Sequence, residues 1–206
     1  MSCRRRFVFC STECRLLRLF TSRTATSTAP VAGTYHVDAV HSQAGFTVRH
    51  LVAAKVRGYF TEFEGTIVIG DTPETSSVTG TIQAGSITTN NDMRDGHLKS
   101  ADFLDLENNP TLSFVSTSVT PKGGDKFDLV GDLTIRGVTK QVTWDLEYLG
   151  TGPGMVEDDV VVGFEASLEI DRRDYNVSFE GTLENGSVVV SNKVNLHLEI
   201  EAHSKA

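Results

Sequence analysis

A two-residue alternation of apolar and polar side chains runs through most of the sequence after residue 30 and is its strongest constraint. Successive side chains of a β-strand point to opposite faces, so this period predicts strands with one buried face. The pattern is clearest over residues 127–135, 142–148 and 160–170. A compact polar segment over 93–110 interrupts it, and no amphipathic helix is predicted that could cover a sheet. The chain is therefore predicted to be all-β.

Turn signals divide this region into eight or nine long antiparallel strands. The strongest are Glu-Asn-Gly at 184–186 and the Pro- and Gly-containing segment 121–125. A change of phase near Gly85 indicates a β-bulge, which bends a strand around a corner. Strands with one apolar face and no covering helix satisfy their edges best by closing on themselves. We therefore expect a barrel, which at eight strands can hold core side chains or one elongated ligand.

The same patterns give local expectations for two stretches. Residues 58–69 are predicted to form one continuous strand, with Phe60 and Phe63 on opposite faces. Residues 177–183 are predicted to form a strand that pairs, across a hairpin turn, with a last strand over 188–200.

The polar segment 93–110 is predicted to contain a short helix. Asn91 or Asp92 is expected to cap it, and Leu98 and Met93 are expected to point inward. Its charges leave three roles open: a brace at the barrel corner, a contact to the polar head of a ligand, or an acid/base cluster.

The brace is the preferred role of this segment. Arg94 and His97 share a helix face at i,i+3, which would suit an acid/base cluster with Asp95. Asp95 and Asp102 can equally cap or pair with neighbours, while Phe103 closes the barrel end.

Residues 1–30 differ in composition from residues 31–206, which we assign to one domain. The first segment is rich in Arg, Ser and Thr, which is typical of a disordered extension or a targeting peptide. The polar residues 11–15 interrupt the apolar run that an ordinary secretion signal needs, so an unusual signal is the remaining alternative. We leave the compartment open and prefer a cytoplasmic location over a secreted or periplasmic one.

Charge and cysteine content exclude several classes of function. The first 30 residues hold six of the 19 Lys and Arg and one of the 27 Asp and Glu, so residues 31–206 carry 13 basic and 26 acidic residues. Such a domain repels phosphate backbones and is not expected to bind nucleic acid. Because all three cysteines lie at positions 3, 10 and 14, the domain has no Cys for a disulfide, a nucleophile or a zinc site.

The histidines show neither metal-binding nor catalytic spacing. They lie at positions 36, 41, 50, 97, 197 and 203, without an i,i+4 pair or an H-E-x-x-H motif. His36 and His41 could meet across a turn and, with Asp38, supply three metal ligands. Scattered histidines near strand ends are far commoner, so no metal site is predicted. The sequence also contains no phosphate-binding loop, dinucleotide fingerprint or nucleophile elbow, and we predict neither a cofactor nor an enzyme.

Four blocks, in order over roughly residues 33–202, resemble the YceI-like family of lipid- or polyisoprenoid-binding proteins. They are YHVDAVHSQAGFTVRH at 35–50, VRGYFTEFEG at 56–65, MRDGHLKSADFLD at 93–105 and GDLTIRGVT at 131–139. The chain departs from the family pattern at Leu104 and Asn109, where a Phe and a Tyr are common.

The resemblance implies an extended, lipocalin-like antiparallel barrel with a short helical segment near one end and an apolar tunnel inside. It implies non-catalytic binding of a polyisoprenoid, an isoprenoid quinone or a fatty-acid-like amphiphile, for carriage or sequestration. The family motifs fall on His41, Ser42, Phe46, Val48 and His50, and on Arg94, Asp95, His97 and Leu98. The candidate ligand-binding residues are Phe46, Val48, His50, Phe60, Phe63, Arg94, His97, Phe103, Phe114, Trp144, Leu146, Phe164 and Phe179.

A long-chain lipid is thus the expected partner, without nucleic acid and without stable membrane insertion, since no stretch approaches the roughly 20 apolar residues of a membrane span. A homodimer is left open. Two alternatives remain at this point: an enzyme for a small molecule that uses His50 and His97 with a carboxylate, and a structural or stress-related barrel with a filled interior.

Overall fold

The structure, a computed structural model, describes residues 30–51, 54–181 and 189–205. Within these residues the alternating segments form eleven strands, and one α-helix lies between the sixth and seventh. The strands are β1 Gly33–Val37, β2 Gln43–His50, β3 Ala54–Phe60, β4 Phe63–Ile69, β5 Ser77–Gln83, β6 Ile87–Thr88, β7 Thr111–Gly123, β8 Lys126–Ile135, β9 Val138–Pro153, β10 Val160–Asp171 and β11 Val190–His203, and the helix is α1 Asp92–Lys99.

Eight strands close into an antiparallel barrel in the order β1, β4, β5, β7, β8, β9, β10 and β11. The ring closes where β11 pairs with β1, through His36 opposite His203 and Val37 opposite Ala202. Further along β11, strands β2, β3 and β6 extend the wall toward α1. The predicted all-β, eight-stranded barrel with a short helix near one end is confirmed.

Two breaks bend the strands that surround the barrel. Thr61 and Glu62 separate β3 from β4, so the prediction of one strand over 58–69 is wrong. The break shifts the alternation, and Phe60 and Phe63 consequently line the same cavity. The second break is a 3₁₀ turn at Ala84–Ser86 between β5 and β6, at the position of the predicted phase slip.

The predicted strand over 177–183 is absent from its described part. A 3₁₀ turn at Arg172–Tyr175 follows β10, and Asn176 then takes a left-handed backbone conformation with φ 58°. The Arg172 side chain donates hydrogen bonds to the backbone carbonyls of Val177 and Phe179, which in a sheet would accept from a neighbouring strand. The rest of this stretch and the predicted turn at 184–186 lie outside the described residues.

Helix α1 is capped as expected, but the residues that it buries differ from the prediction. The Asn91 Oδ1 accepts a hydrogen bond from the backbone N–H of Arg94 at 3.0 Å, and Leu98 packs against the core. Met93 is 87% exposed, so its predicted inward position is wrong, and the buried residue of the helix is Asp95. No helix in the described ranges has the length and apolar character needed to cross a membrane.

Candidate ligand-binding tunnel

Four adjoining cavities follow one another from the barrel interior to the space between β2, β3 and α1. A loop-end cavity of about 630 Å³ is followed by a central cavity of about 160 Å³, an inner cavity of about 130 Å³ and a helix-mouth cavity of about 270 Å³ beside α1. Neighbouring cavities share lining residues: Leu129 joins the first pair, Phe60 the second and Phe46 the third. The protein therefore contains a series of adjoining cavities, which we call the tunnel.

The loop-end cavity opens between turns that carry polar residues. Phe164 and Leu146 form part of its apolar wall, while Asp71 and Thr72 before the 3₁₀ turn Pro73–Thr75 lie at its rim. The turn between β7 and β8 contributes to the same rim. The sequence did not reveal this rim because turn residues do not follow the strand alternation, although the turn signal at 121–125 was present.

The central cavity is lined mainly by apolar residues and is narrowed by aromatic rings. Phe114 and Trp144 meet edge to face with their ring centroids 6.2 Å apart. Gly80 lies on the wall of this cavity, and a Cβ placed there would meet only the Glu64 carbonyl oxygen, at 3.6 Å. The absence of a side chain at Gly80 therefore keeps the passage open.

The helix-mouth cavity brings together the three imidazole and guanidinium groups singled out in the sequence. His50 comes from the end of β2, whereas Arg94 and His97 come from one face of α1. Apolar residues, including Phe46 and Phe179, surround them. A polar mouth on an apolar tunnel suits the head group of an amphiphile.

Arg94 is partly committed to the protein. Its Nε donates to Thr89 Oγ1 at 2.7 Å and its Nη2 donates to the Thr89 carbonyl at 2.9 Å, which ties α1 to the end of β6. Within the described part of the chain, its Nη1 has no hydrogen-bond partner. Arg94 thus braces the helix and retains donor capacity at the cavity.

Asp95 is a structural anchor and not part of an acid/base cluster. Its carboxylate accepts hydrogen bonds from Thr88 Oγ1 at 3.0 Å, from the Thr89 backbone N–H at 2.9 Å and from the Thr89 hydroxyl. Burial raises the pKa of Asp95, but these hydrogen bonds outweigh burial and hold the pKa below its ordinary value. The charged carboxylate is therefore stabilised where it binds α1 to the wall.

His97 pairs with a different carboxylate. Its Nε2 lies 2.8 Å from Asp102 Oδ2, and its ring stands edge-on to Phe103 and Phe179 with centroids 5.0 and 5.1 Å away. The proposed grouping of Arg94, Asp95 and His97 is therefore split between separate partners.

All thirteen candidate residues line the cavities. Phe46, Val48, His50, Arg94, His97, Phe103 and Phe179 line the helix-mouth cavity, Phe60, Phe63, Phe114 and Trp144 the central cavity, and Leu146 and Phe164 the loop-end cavity.

Comparison with known proteins identifies the family. The family model described as a YceI-like domain matches residues 35–202. The chain belongs to the YceI-like family. Among YceI-like relatives, the UPF0312 protein SAR2769 of Staphylococcus aureus is 36% identical over 166 residues, which cover 80% of this chain and 94% of the relative. The UPF0312 protein SERP2314 of Staphylococcus epidermidis is 34% identical over 169 residues, with 81% and 95% covered.

Several solved structures share the fold. The Campylobacter jejuni YceI protein has a TM-score of 0.67 at 28% identity, covering 77% of this chain and 90% of its own. BcnA of Burkholderia cenocepacia has a TM-score of 0.70 at 24% identity, with 80% and 98% covered. A polyisoprenoid binding domain from Saccharophagus degradans has a TM-score of 0.61 at 17% identity, with 84% and 98% covered. None of these relatives carries the name of an enzyme.

Proposed function

We propose that this YceI-like protein binds one long apolar ligand along the barrel axis, for carriage or sequestration. The ligand class is a polyisoprenoid, an isoprenoid quinone or a fatty-acid-like amphiphile. The observation that carries this proposal is the series of four adjoining cavities with mainly apolar walls and a polar mouth.

Burial of an apolar chain supplies the driving force. Each buried CH₂ group contributes about 0.8 kcal/mol, so a chain with about twelve buried groups gains roughly 10 kcal/mol before the entropy cost of association is subtracted. A tunnel of this kind needs few polar contacts for tight binding, in agreement with the apolar central cavity.

Charge favours one orientation of the ligand. The helix-mouth cavity carries His50, Arg94 and His97, whereas Asp71 lies at the rim of the opposite, loop-end cavity. A head group that is anionic or accepts hydrogen bonds is stabilised beside the guanidinium and imidazole groups and repelled by a carboxylate. We therefore place the head group at the helix mouth and the chain tail toward the loop end.

The name of the Saccharophagus degradans domain is consistent with a polyisoprenoid. At 17% identity the similarity supports the fold alone, so the proposed ligand class rests on the cavities of this protein.

The helix-mouth cavity supports binding better than catalysis. His50 and His97 do share it, and His97 has a carboxylate partner in Asp102. Its described lining, however, includes no Ser, Thr, Tyr, Cys or Lys that could serve as a nucleophile.

Native mass spectrometry of the freshly purified protein, with extraction of its lipids, tests the proposal. We expect about one long-chain molecule per protein. Replacing Gly80 by Phe should fill the central cavity and remove most of the bound lipid. Val115→Phe is the matched control, because Val115 is 52% exposed on β7 and its substitution should leave the lipid in place.

Circular dichroism of both variants verifies that the barrel has formed. The proposal fails if the wild type carries no lipid and takes none up from a mixture of long-chain lipids, or if Gly80→Phe retains as much lipid as Val115→Phe.

A further inference from the structure

A second cluster of ionisable side chains lies outside the tunnel, where β1 and β11 meet to close the barrel. It consists of Asp38, His41, Asp159, Glu201 and His203. Buried Ala202, between Glu201 and His203, belongs to the core, so its two neighbours point to the outer face of the barrel. This outer-face cluster is thus separate from the proposed lipid site.

Donor atoms of the cluster converge on one point. The Nε2 of His203 lies 3.2 Å from Glu201 Oε1 and 3.8 Å from Asp38 Oδ2. One ligand atom from each of these three residues lies within 4.8 Å of the other two. The Nδ1 of His41 is 3.8 Å from Glu201 Oε1 and 2.6 Å from Asp38 Oδ2, so a second imidazole borders the same space.

Asp159 fixes the orientation of His203. The Nδ1 of His203 lies 2.7 Å from Asp159 Oδ2, and the Asp159 side chain is only 3% exposed. Its other oxygen accepts hydrogen bonds from Ser204 Oγ at 3.2 Å and from the Lys205 backbone N–H at 3.1 Å. A histidine that donates Nδ1–H to a carboxylate presents Nε2 as a metal ligand, which is a common arrangement around bound metals.

Backbone contacts hold the remaining groups in place. The Asp38 N–H donates to the Glu201 carbonyl at 2.9 Å. The Ser42 hydroxyl donates to the same carbonyl at 3.1 Å and accepts from the Glu201 N–H at 2.9 Å. The turn that carries Asp38 and His41 is therefore fastened to the strand that carries Glu201.

The cluster has an excess of negative charge. Its three carboxylates face two imidazoles, and within the described residues no Lys or Arg forms an ion pair with Asp38, Glu201 or Asp159. The His203 Nε2 faces two carboxylate oxygens, so a proton or a cation must lie between them. Imidazole nitrogens mixed with carboxylate oxygens suit zinc and similar divalent transition metals better than Ca²⁺ or Mg²⁺.

We propose that the outer-face cluster binds one divalent transition-metal ion of the zinc type through Asp38, Glu201 and His203, with His41 as the fourth ligand. Tetrahedral zinc with bonds of about 2.1 Å separates its ligand atoms by roughly 3.4 Å. Three of the four separations given above, 3.2, 3.8 and 3.8 Å, lie close to that value. The fourth must widen, which His41 can accommodate because its side chain is 62% exposed. Asp159 is a positioning residue that acts through His203.

Calorimetric titration of the full chain with Zn²⁺ tests this site. The three thiols of Cys3, Cys10 and Cys14 are first alkylated so that they cannot bind the metal. We expect one Zn²⁺ per chain. Removing a ligand in His203→Ala or Glu201→Gln should weaken binding at least about tenfold, and Asp159→Asn should weaken it about 10- to 100-fold because the orientation of His203 is lost.

His36→Ala is the matched control, since His36 lies on β1 opposite His203 but is not one of the proposed ligands. The affinity of this variant for Zn²⁺ should stay within about twofold of that of the wild type. Melting temperatures in EDTA verify that each variant folds, and Co²⁺ titration should give the visible bands of a tetrahedral site only where His203 is present. The proposal is overturned if the wild type binds no Zn²⁺, if His203→Ala and Glu201→Gln bind it as well as the wild type, or if His36→Ala loses as much affinity as they do.

Discussion

Two buried tyrosines differ in whether the hydroxyl group has a partner. Tyr35 is 1% exposed and donates its O–H to the Val31 carbonyl at 2.9 Å. Tyr175 is 2% exposed, and its hydroxyl has no hydrogen-bond partner among the described residues. A buried polar group without a partner costs about 1–3 kcal/mol, whereas a satisfied one stabilises by about 1 kcal/mol.

Replacing each tyrosine by Phe should therefore change stability in opposite directions. We expect Tyr175→Phe to raise the free energy of unfolding by about 1 kcal/mol and Tyr35→Phe to lower it by about 1 kcal/mol, measured by urea unfolding at pH 7. An equal loss of stability in both variants would contradict this reading of Tyr175.

The Tyr175 variant has a second readout at high pH. Burial, with a smaller effect of Asp174, raises the pKa of Tyr175 to about 12 from 10.0. Between these pH values the folded protein keeps the proton that the unfolded chain has lost. The contribution of Tyr175 to the free energy of unfolding is therefore fully present below pH 10 and falls as the pH rises toward 12. Tyr175→Phe should make the decline over this range less steep.

The outer-face cluster shows what residue spacing can and cannot predict. The sequence suggested that His36 and His41 could meet across a turn, with Asp38 as the acid of the trio. The contact in the structure is instead between Asp38 and His41, which lie three residues apart in one turn and approach to 2.6 Å. His203 and Glu201 lie at the other end of the chain and reach them only because β11 closes onto β1. Residue spacing does not reveal which strands pair when the ring closes. The cluster therefore contains Glu201 and His203, and His36 is not part of it.

At the scale of elements, a single buried arginine determines how the chain leaves β10. Arg172 is 5% exposed and donates to three backbone carbonyls: Nε to Ser191 at 3.1 Å, Nη1 to Val177 at 2.6 Å and Nη2 to Phe179 at 2.8 Å. Its neighbour Arg173 is exposed and pairs with Asp171 at 2.6 Å. Within the described residues, Arg173 forms an ion pair and Arg172 does not.

Methionine substitutions at these adjacent positions should separate the two roles. Arg172→Met removes three hydrogen bonds, one buried and two partly buried, so we expect a loss of about 3 kcal/mol in urea unfolding. Arg173→Met breaks an exposed ion pair and should cost less than about 1 kcal/mol. Hydrogen exchange over residues 177–181 should accelerate in the first variant alone, and similar losses in both would refute the assigned role.

Most elements were predictable because alternation reports burial directly. Strands β7 to β10, the turn at Arg136 and Gly137 and the cap at Asn91 follow from local patterns. Failures occurred where a tertiary contact overrides the local pattern. Arg172 binds the carbonyls of Val177 and Phe179 in the described part of the stretch where a strand was expected. The break after Phe60 reverses the alternation, so that Phe60 and Phe63 both line the central cavity.

At the scale of the molecule, the tunnel depends on how the ring closes. The last strand, β11, pairs with β10 along its length and also with both β1 and β2. Alternation predicted eight or nine strands with an apolar inner face, but the distribution of side-chain volume along the axis determines whether the interior is filled. Small residues such as Gly80 at the central cavity are the reason that space remains, and strand patterns alone do not indicate it.

The predicted domain boundary near residue 30 leads to a last prediction. Residues 2–28 contribute none of the strand alternation, and the family model matches only residues 35–202. We expect a variant lacking residues 2–28 to melt within about 2 °C of the full chain and to retain its lipid in native mass spectrometry, because Pro30 at the loop-end cavity and Val31 beneath Tyr35 are kept.

A longer deletion, of residues 2–34, provides the contrast. It removes the Val31 carbonyl that accepts from Tyr35, together with Gly33 and Thr34, which pair with Ile69 and Val68 on β4. Loss of these contacts at the closing strand should lower the melting temperature by at least about 5 °C, since 1 kcal/mol corresponds to roughly 2–4 °C in a chain of this size. If the shorter deletion destabilises the barrel as much as the longer one, the first 28 residues belong to the folded domain and the boundary is wrong.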